Sequence, residues 1–221
     1  MVSERLTRAA VAERALCLAD AEGLEAVTIR RLAQVLGVTP MALYWHFKNK
    51  DELLLGIADH ALSAVKATRD PSDPWQAQLR AMVEALVRVI REHPCLTALL
   101  QVVDKHQAAS FARATNDALA LLGQAGFGLR ESFWVASYLL QGAVGLVASE
   151  PDRCPASLTG PEAAEWRRQR RLTMEKLSPD EFPMVVAFAR TLEDAPDLER
   201  YYDLGIDLLL AGVEGVAKRN G

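Results

Sequence analysis

Apolar residues recur at three- and four-residue steps through most of this chain. Leu6, Ala9, Ala12, Leu16 and Ala19 make one such stripe, and comparable stripes run through about 75–92, 107–122, 131–149 and 197–217. That spacing places the apolar positions on one face of an α-helix. No segment shows the two-residue alternation of a half-buried strand, so the pattern predicts an all-α fold.

Punctuation divides the stripes into separate helices. Asp20-Ala21-Glu22-Gly23 closes the first helix, and Thr28 is placed to cap the second. Asp70-Pro71-Ser72-Asp73-Pro74 separates a helix at about 50–68 from the one that starts near Trp75, and His93-Pro94 stops that helix. Gly123-Gln124-Ala125-Gly126-Phe127-Gly128 is a further break. Residues 150–161 hold three prolines and predict an irregular loop, followed by a charged helix over 162–176 that either covers a pocket or lies solvated on the surface. Ser178-Pro179-Asp180-Glu181 combines a capping serine, a first-turn proline and an acidic residue three positions after the cap, which predicts one more helix start.

Composition narrows the class. The chain has 221 residues, 50% hydrophobic and 24% charged, as a soluble globular protein with one good core or two small ones would have. No apolar run approaches the roughly 20 residues of a membrane helix and no leader-like segment follows Met1, so a cytoplasmic protein without membrane association is expected. Cys17, Cys95 and Cys154 form no Cys-x-x-Cys or Cys/His ligand spacing and read as reduced thiols. Phosphate loops, nucleophile elbows and zinc-binding His-Glu-x-x-His are absent, so neither an enzyme nor a cofactor or metal site is expected.

Candidate chemistry concentrates near the N-terminus. Two short helices are joined at Gly37, which can adopt a left-handed helix end, and Thr39-Pro40 restarts the chain as cap and first helical residue. Leu32, Val35, Leu36, Val38, Leu43 and Phe47 can pack together. Tyr44, Trp45 and His46 cannot all face inward from one helix, and with Pro40, Met41 and Ala42 they have no obvious buried duty. This is the helix-turn-helix arrangement that enters a DNA major groove.

Arg30 is the best-placed side chain for a guanine, and Met41 or Ala42 for thymine methyl groups. Thr28, Arg31, Thr39, Tyr44, Trp45, His46, Lys48 and Lys50 complete the expected DNA surface, several of them as phosphate contacts. Asn49 caps the next helix with Glu52 three residues on, which puts Lys50 in a first turn suited to a phosphate. Residues 1–50 carry seven basic against five acidic side chains, a net +2 within a chain of net −4, leaving −6 elsewhere. A less acidic head on an acidic body suits a DNA-contacting module.

Thr28-Ile29-Arg30-Arg31-Leu32-Ala33-Gln34, Leu36-Gly37-Val38 and, most specifically, Leu43-Tyr44-Trp45-His46-Phe47-Lys48-Asn49-Lys50 resemble the tetracycline-repressor (TetR) family of bacterial transcription regulators. The specific resemblance covers about the first 60 residues. It implies a three-helix head over 1–50, a lever helix over 51–68, and a ligand-binding, dimerising body over 69–221. It also implies a homodimer on a palindromic double-stranded DNA operator, released when a small molecule shifts the lever and separates the heads. Departures point to a different operator and ligand: Ile29 stands where threonine is usual, and Pro40 and Ala42 where the tetracycline repressor has glutamine and threonine. His93 and His106 lack the neighbours of a magnesium-tetracycline site.

Within the body, Met82, Phe111, Trp134 and Tyr138 are candidate apolar pocket walls, with His106, Asn116 and Gln141 as polar orienting groups. Gly145 and Ala148 on one helix, and Tyr201, Gly205, Leu208 and Gly212 on the last, place small residues on helix faces where another helix can come close. The resemblance implies that these two helices pair with their symmetry mates. A rival reading is a helical small-molecule-binding or enzymatic protein whose N-terminal helices form a docking module.

Overall fold

Thr7 starts the first helix: its side chain accepts from the Ala10 N–H at 3.1 Å, and α1 then runs over Arg8–Glu22. The computed structural model describes residues 6–65, 69–151, 158, 160–192 and 196–220. Among these there are no strands, only α-helices and two single 3₁₀ turns at Leu24–Ala26 and Lys105–Gln107. After α1 come α2 (Ile29–Leu36), α3 (Pro40–Tyr44), α4 (Lys50–Ser63), α5 (Trp75–Glu92) and α6 (Leu96–Val102). They are followed by α7 (Ala109–Gln124), α8 (Leu129–Ala148), α9 (Gly160–Glu175), α10 (Pro183–Thr191) and α11 (Leu198–Asn220).

The helices fall into two compact units, one of Met1–Ala148 with Ile206–Gly221, the other of Ser149–Gly205. In the first, α1 packs on α4, with Val11, Ala12, Ala15, Leu16 and Ala19 of α1 and Ile57, Ala58, Ala61 and Leu62 of α4 buried. Helix α4 also meets α6 and α7, and α8 lies against α5, α6 and α7. Leu79, Ile90, Leu96, Leu99, Leu100 and Leu122 are fully enclosed there. Gly142 is needed for the approach of α8 to α11, because a Cβ there would lie 2.5 Å from a Leu209 methyl. In the second unit α9 packs on α10, and the buried Tyr202 donates its hydroxyl to Glu150.

Three details depart from the sequence reading. Ala9 is exposed and Val11, Ala15 and Leu18 are buried, so the core face of α1 is rotated from the expected stripe toward α4. Helix α6 follows the His93-Pro94 stop at once, where the pattern suggested only an end. The start expected at Ser178-Pro179 is a turn, closed by the Phe182 N–H donating to the Ser178 carbonyl at 2.8 Å, and α10 begins at Pro183. Proline disfavours helical geometry in the residue before it, and Phe182 sits at φ −129°, ψ 51°, so no helix from Pro179 can pass through. Much of 150–161, including Cys154, lies outside the described residues. No described helix is long and apolar enough to cross a membrane.

Candidate nucleic-acid interface and ligand chamber

Local chemistry builds the N-terminal turn. The Thr28 hydroxyl accepts from the Arg31 N–H at 3.1 Å and starts α2. Gly37, at φ 65° and ψ 30°, ends it in the left-handed region, with its N–H donating to Gln34 and the Val38 N–H donating to Ala33. Thr39 has the extended backbone of a cap, but its hydroxyl makes no capping bond; Pro40 at the first position starts α3 instead.

Inside this turn Leu32, Leu43 and Phe47 are fully buried, Leu36 and Val38 half-buried, and Val35 is exposed, outside the cluster expected for it. Outside it Met41 is 67% exposed, Tyr44 48% and Trp45 85%. Leaving an indole in water forfeits a large burial term, and three such side chains on five consecutive positions form an apolar surface patch of the kind that marks a binding face. Thr39 and Pro40 are exposed beside them, while Ala42 and His46 are half-buried.

The charged candidates divide. Arg30 is exposed and makes no ion pair or hydrogen bond with another described residue. Arg31, by contrast, forms a two-pronged pair with Glu22, with Nε to Oε2 at 3.1 Å and Nη2 to Oε1 at 2.5 Å; that hydrogen bond is the main reason the Glu22 carboxyl is lowered. Its guanidinium is therefore committed within the head. Lys50 Nζ lies 3.8 Å from the Glu25 carboxylate, and the exposed Lys48 lends its backbone N–H to Glu52 at 2.9 Å.

Asn49 caps α4 as expected, accepting from the Glu52 N–H at 2.8 Å. Sequence reasoning missed Arg8, which donates to the His46 carbonyl and to Glu52 Oε1 and lies 4.3 Å over the Phe47 ring. Those partners are 38 and 44 residues away, and no local pattern announces them.

Two further carboxylates join α1 and α4 to helices that follow them. Asp59 of α4 accepts from the backbone N–H of Ser110 at 2.8 Å and from its hydroxyl, in the first turn of α7. Burial opposes its ionisation, but the Ser110 bonds together with Arg113 and Arg8 outweigh burial and lower the carboxyl. Asp20 of α1 accepts from the Cys95 N–H at 3.2 Å and sits 2.7 Å from His93 Nδ1. Cys95 itself is a free, half-buried thiol, pushed far up mainly by burial, so it is inert at neutral pH; Cys17 is also free.

Between α4, α5, α7 and α8 lies a chamber of about 750 Å³, including the space at its open mouth. Leu79, Met82, Phe111, Phe133 and Leu140 form much of its wall, and Leu62 and Val65 at the end of α4 complete it. Of the sequence candidates, Met82 and Phe111 line it. His106 stacks edge-on to Phe111 at 5.3 Å and tilted on Phe133 at 6.1 Å without being a wall residue.

The other four candidates are not in the wall. Asn116 is exposed on α7, and Gln141 bonds Gln101 at 3.1 Å. Trp134 and Tyr138, 53% and 75% exposed, lie on the outer face of α8, because four- and three-residue steps carry them onto the stripe of Gln141, Gly145 and Ala148. Gly145 and Gly212 face open space, with nothing within 4 Å of a Cβ built on either, and Leu208 is 67% exposed. Gly205 is buried, and Tyr201, half-buried, donates to the Ser149 carbonyl at 3.2 Å.

Comparison with known proteins then decides the family. Residues 13–57 match the bacterial regulatory proteins of the tetR family, and residues 68–217 match the tetracyclin repressor-like C-terminal domain. The chain belongs to the tetracycline-repressor family. It is a helix-turn-helix transcription regulator, and the rival reading of the N-terminal helices as a docking module is not favoured.

Among its relatives is the HTH-type transcriptional repressor DrrR1 of Streptomyces coeruleorubidus, 31% identical over 98% of this chain and 80% of that one. The class C tetracycline repressor protein of Escherichia coli is 30% identical over 95% and 91%. The TetR family protein ActR of Streptomyces coelicolor, solved in complex with actinorhodin, has a TM-score of 0.77 at 25% identity over 97% and 99% of the two chains.

Proposed function

We propose that this TetR-family chain is a homodimeric repressor that holds a palindromic operator and releases it when a small molecule fills the chamber between α4, α5, α7 and α8. The reading assigns residues 1–50 to the DNA-binding head, 51–68 to the lever and 69–221 to the ligand-binding and dimerising body. It places the protein in the cytoplasm, without catalytic activity of its own.

The observation that carries the reading is the exposed Met41, Tyr44 and Trp45 surface, held on a turn whose inner residues Leu43 and Phe47 are fully buried. A rigid scaffold presenting large apolar and aromatic groups beside an uncommitted Arg30 suits a major groove, where thymine methyls and guanine edges are read. Thr28, Thr39, Pro40, Ala42, His46, Lys48 and Lys50 complete the proposed DNA surface, with Lys48 and Lys50 assigned to phosphates.

Two neighbouring observations support control by a ligand. Leu62 and Val65 of the lever are themselves chamber wall, so an occupant touches the element that follows the head. Asp59 ties the same helix to α7. The bound actinorhodin of the related ActR also supports a small-molecule effector. Among the described residues the wall holds no histidine, asparagine or glutamate, so magnesium-tetracycline is not the proposed ligand. For the dimer, the open Gly145 and Gly212 with exposed Trp134, Tyr138, Ala148 and Leu208 offer apolar helix faces to a second copy.

A salt-dependent gel-shift assay on the DNA upstream of the protein's own gene tests the reading. A specific complex that survives excess unrelated DNA is the expected result. Binding that competitor DNA removes completely overturns it.

A further inference from the structure

The chamber wall is almost wholly apolar. Among the described residues Thr115 and Ser137 supply its only hydroxyls, and that of Ser137 is spent on the Phe133 carbonyl of its own helix at 2.8 Å. A sugar or nucleotide would leave many polar groups unpaired there, which penalises its binding. The body of the occupant must therefore be apolar, and the aromatic Phe111 and Phe133 in the wall suit a ring-bearing molecule.

A second hollow of about 530 Å³ shares Leu62, Val65, Met82 and Ala114 with the chamber, so the two adjoin along the end of α4. Its character is opposite, with Arg69, Arg113, Asp117, Ser63 and Ser110 in the wall. The charges there are not equally engaged. Arg69 is paired with Asp117, and Ser110 is bonded to Asp59. Arg113 forms no ion pair or hydrogen bond with another described residue, although its charge helps keep Asp59 ionised. It is thus a guanidinium with its donors open beside an apolar cavity, the arrangement that receives a carboxylate, sulfonate or phenolate oxygen.

Resting on the regulator reading above, we propose that the effector is an amphipathic organic monoanion. Its ring-sized apolar body lies among Leu79, Met82, Phe111 and Phe133, and its anionic oxygens meet Arg113 in the adjoining hollow. One uncommitted guanidinium among the described residues of the hollow selects one negative group rather than a polyphosphate, and the lever residues Leu62 and Val65 touch both parts of the molecule.

Two fluorescent probes with one skeleton test this on the full-length protein: 1-anilinonaphthalene-8-sulfonate, and N-phenyl-1-naphthylamine, which lacks the sulfonate. The wild type should bind the sulfonate about tenfold more tightly, the size of one charge-assisted contact. Arg113→Gln should abolish that preference and leave the neutral probe unchanged, and Ala114→Trp, which fills the junction of the two hollows, should weaken both. Equal affinities in the wild type, a preference that survives Arg113→Gln, or probe binding indifferent to Ala114→Trp would each overturn the proposal. Should Ala114→Trp not fold, displacement of the sulfonate by the neutral probe at one-to-one stoichiometry reports a shared site, and failure to displace refutes it. Specific operator binding by the unliganded wild type is measured alongside. Its loss would sink the regulator reading alone, whereas intact operator binding with no sulfonate preference would sink only the anion.

Discussion

Arg8 and Glu52 close the head onto the lever. The Arg8 Nη1 donates to Glu52 Oε1 at 2.9 Å while the other carboxylate oxygen accepts the Lys48 N–H at 2.9 Å, so one glutamate both ends the α3 turn and holds α1 to α4. Arg8 also covers the buried Phe47 ring. Both side chains are partly exposed, at 51% and 30%, which discounts the ion pair itself.

Glu52→Gln should therefore destabilise the protein by only ~1 kcal/mol at neutral pH. The Glu52 carboxyl is held below its ordinary 4.5 first by the Lys48 N–H and next by Arg8. A depressed carboxyl adds stability that is present above the unfolded pKa and lost as pH falls through the folded one. Wild type and variant should thus converge below about pH 4.5 when urea unfolding is followed against pH, and a constant gap would show that the charge is irrelevant.

Trp45→Ala should leave stability within about ±0.5 kcal/mol, because the indole is 85% exposed, yet lower operator affinity at least tenfold. Thermal unfolding and gel shift on the same preparation separate the two quantities. A loss of stability in step with DNA binding would return Trp45 to a packing role.

Arg30→Ala should cost roughly 1–3 kcal/mol of operator binding and relax preference at one base pair. The measurement is affinity across a set of single-base operator variants. Uniform weakening over all of them would reassign Arg30 to a phosphate.

Gly56→Ala has two opposed effects. Helix propensity favours alanine by ~1 kcal/mol. The new Cβ, however, would overlap the Phe47 ring, which is fully enclosed, and overpacking of that kind costs about 1–3 kcal/mol. Net destabilisation and a lower Tm are expected, whereas a higher Tm would mean that the ring can move aside.

Gly145→Glu and Gly212→Glu should spare the fold of the protomer, since both positions face open space, and should weaken the dimer. Sedimentation at several concentrations reads this directly. Dimers of unchanged stability would move the interface elsewhere.

Much of this protein is local and was legible in its residue order. Helical periodicity, the Thr28 and Asn49 caps and the left-handed Gly37 depend on neighbours within about four residues, so the all-α fold and the helix-turn-helix are legible in the sequence itself. The exposed aromatic run was legible for a related reason: three large consecutive side chains cannot share one buried helix face. What lay beyond reach depended on how helices rotate and meet. Arg31 and Arg30 are adjacent and chemically identical, and only the position of Glu22 commits one and leaves the other open. Trp134 and Tyr138 look like pocket walls in sequence, but the rotation of α8 turns them outward and presents Phe133 and Leu140 to the chamber. A cavity is a property of four helices at once, so its walls carry no periodic signature; periodicity says which residues share a face, and tertiary packing alone decides what that face meets.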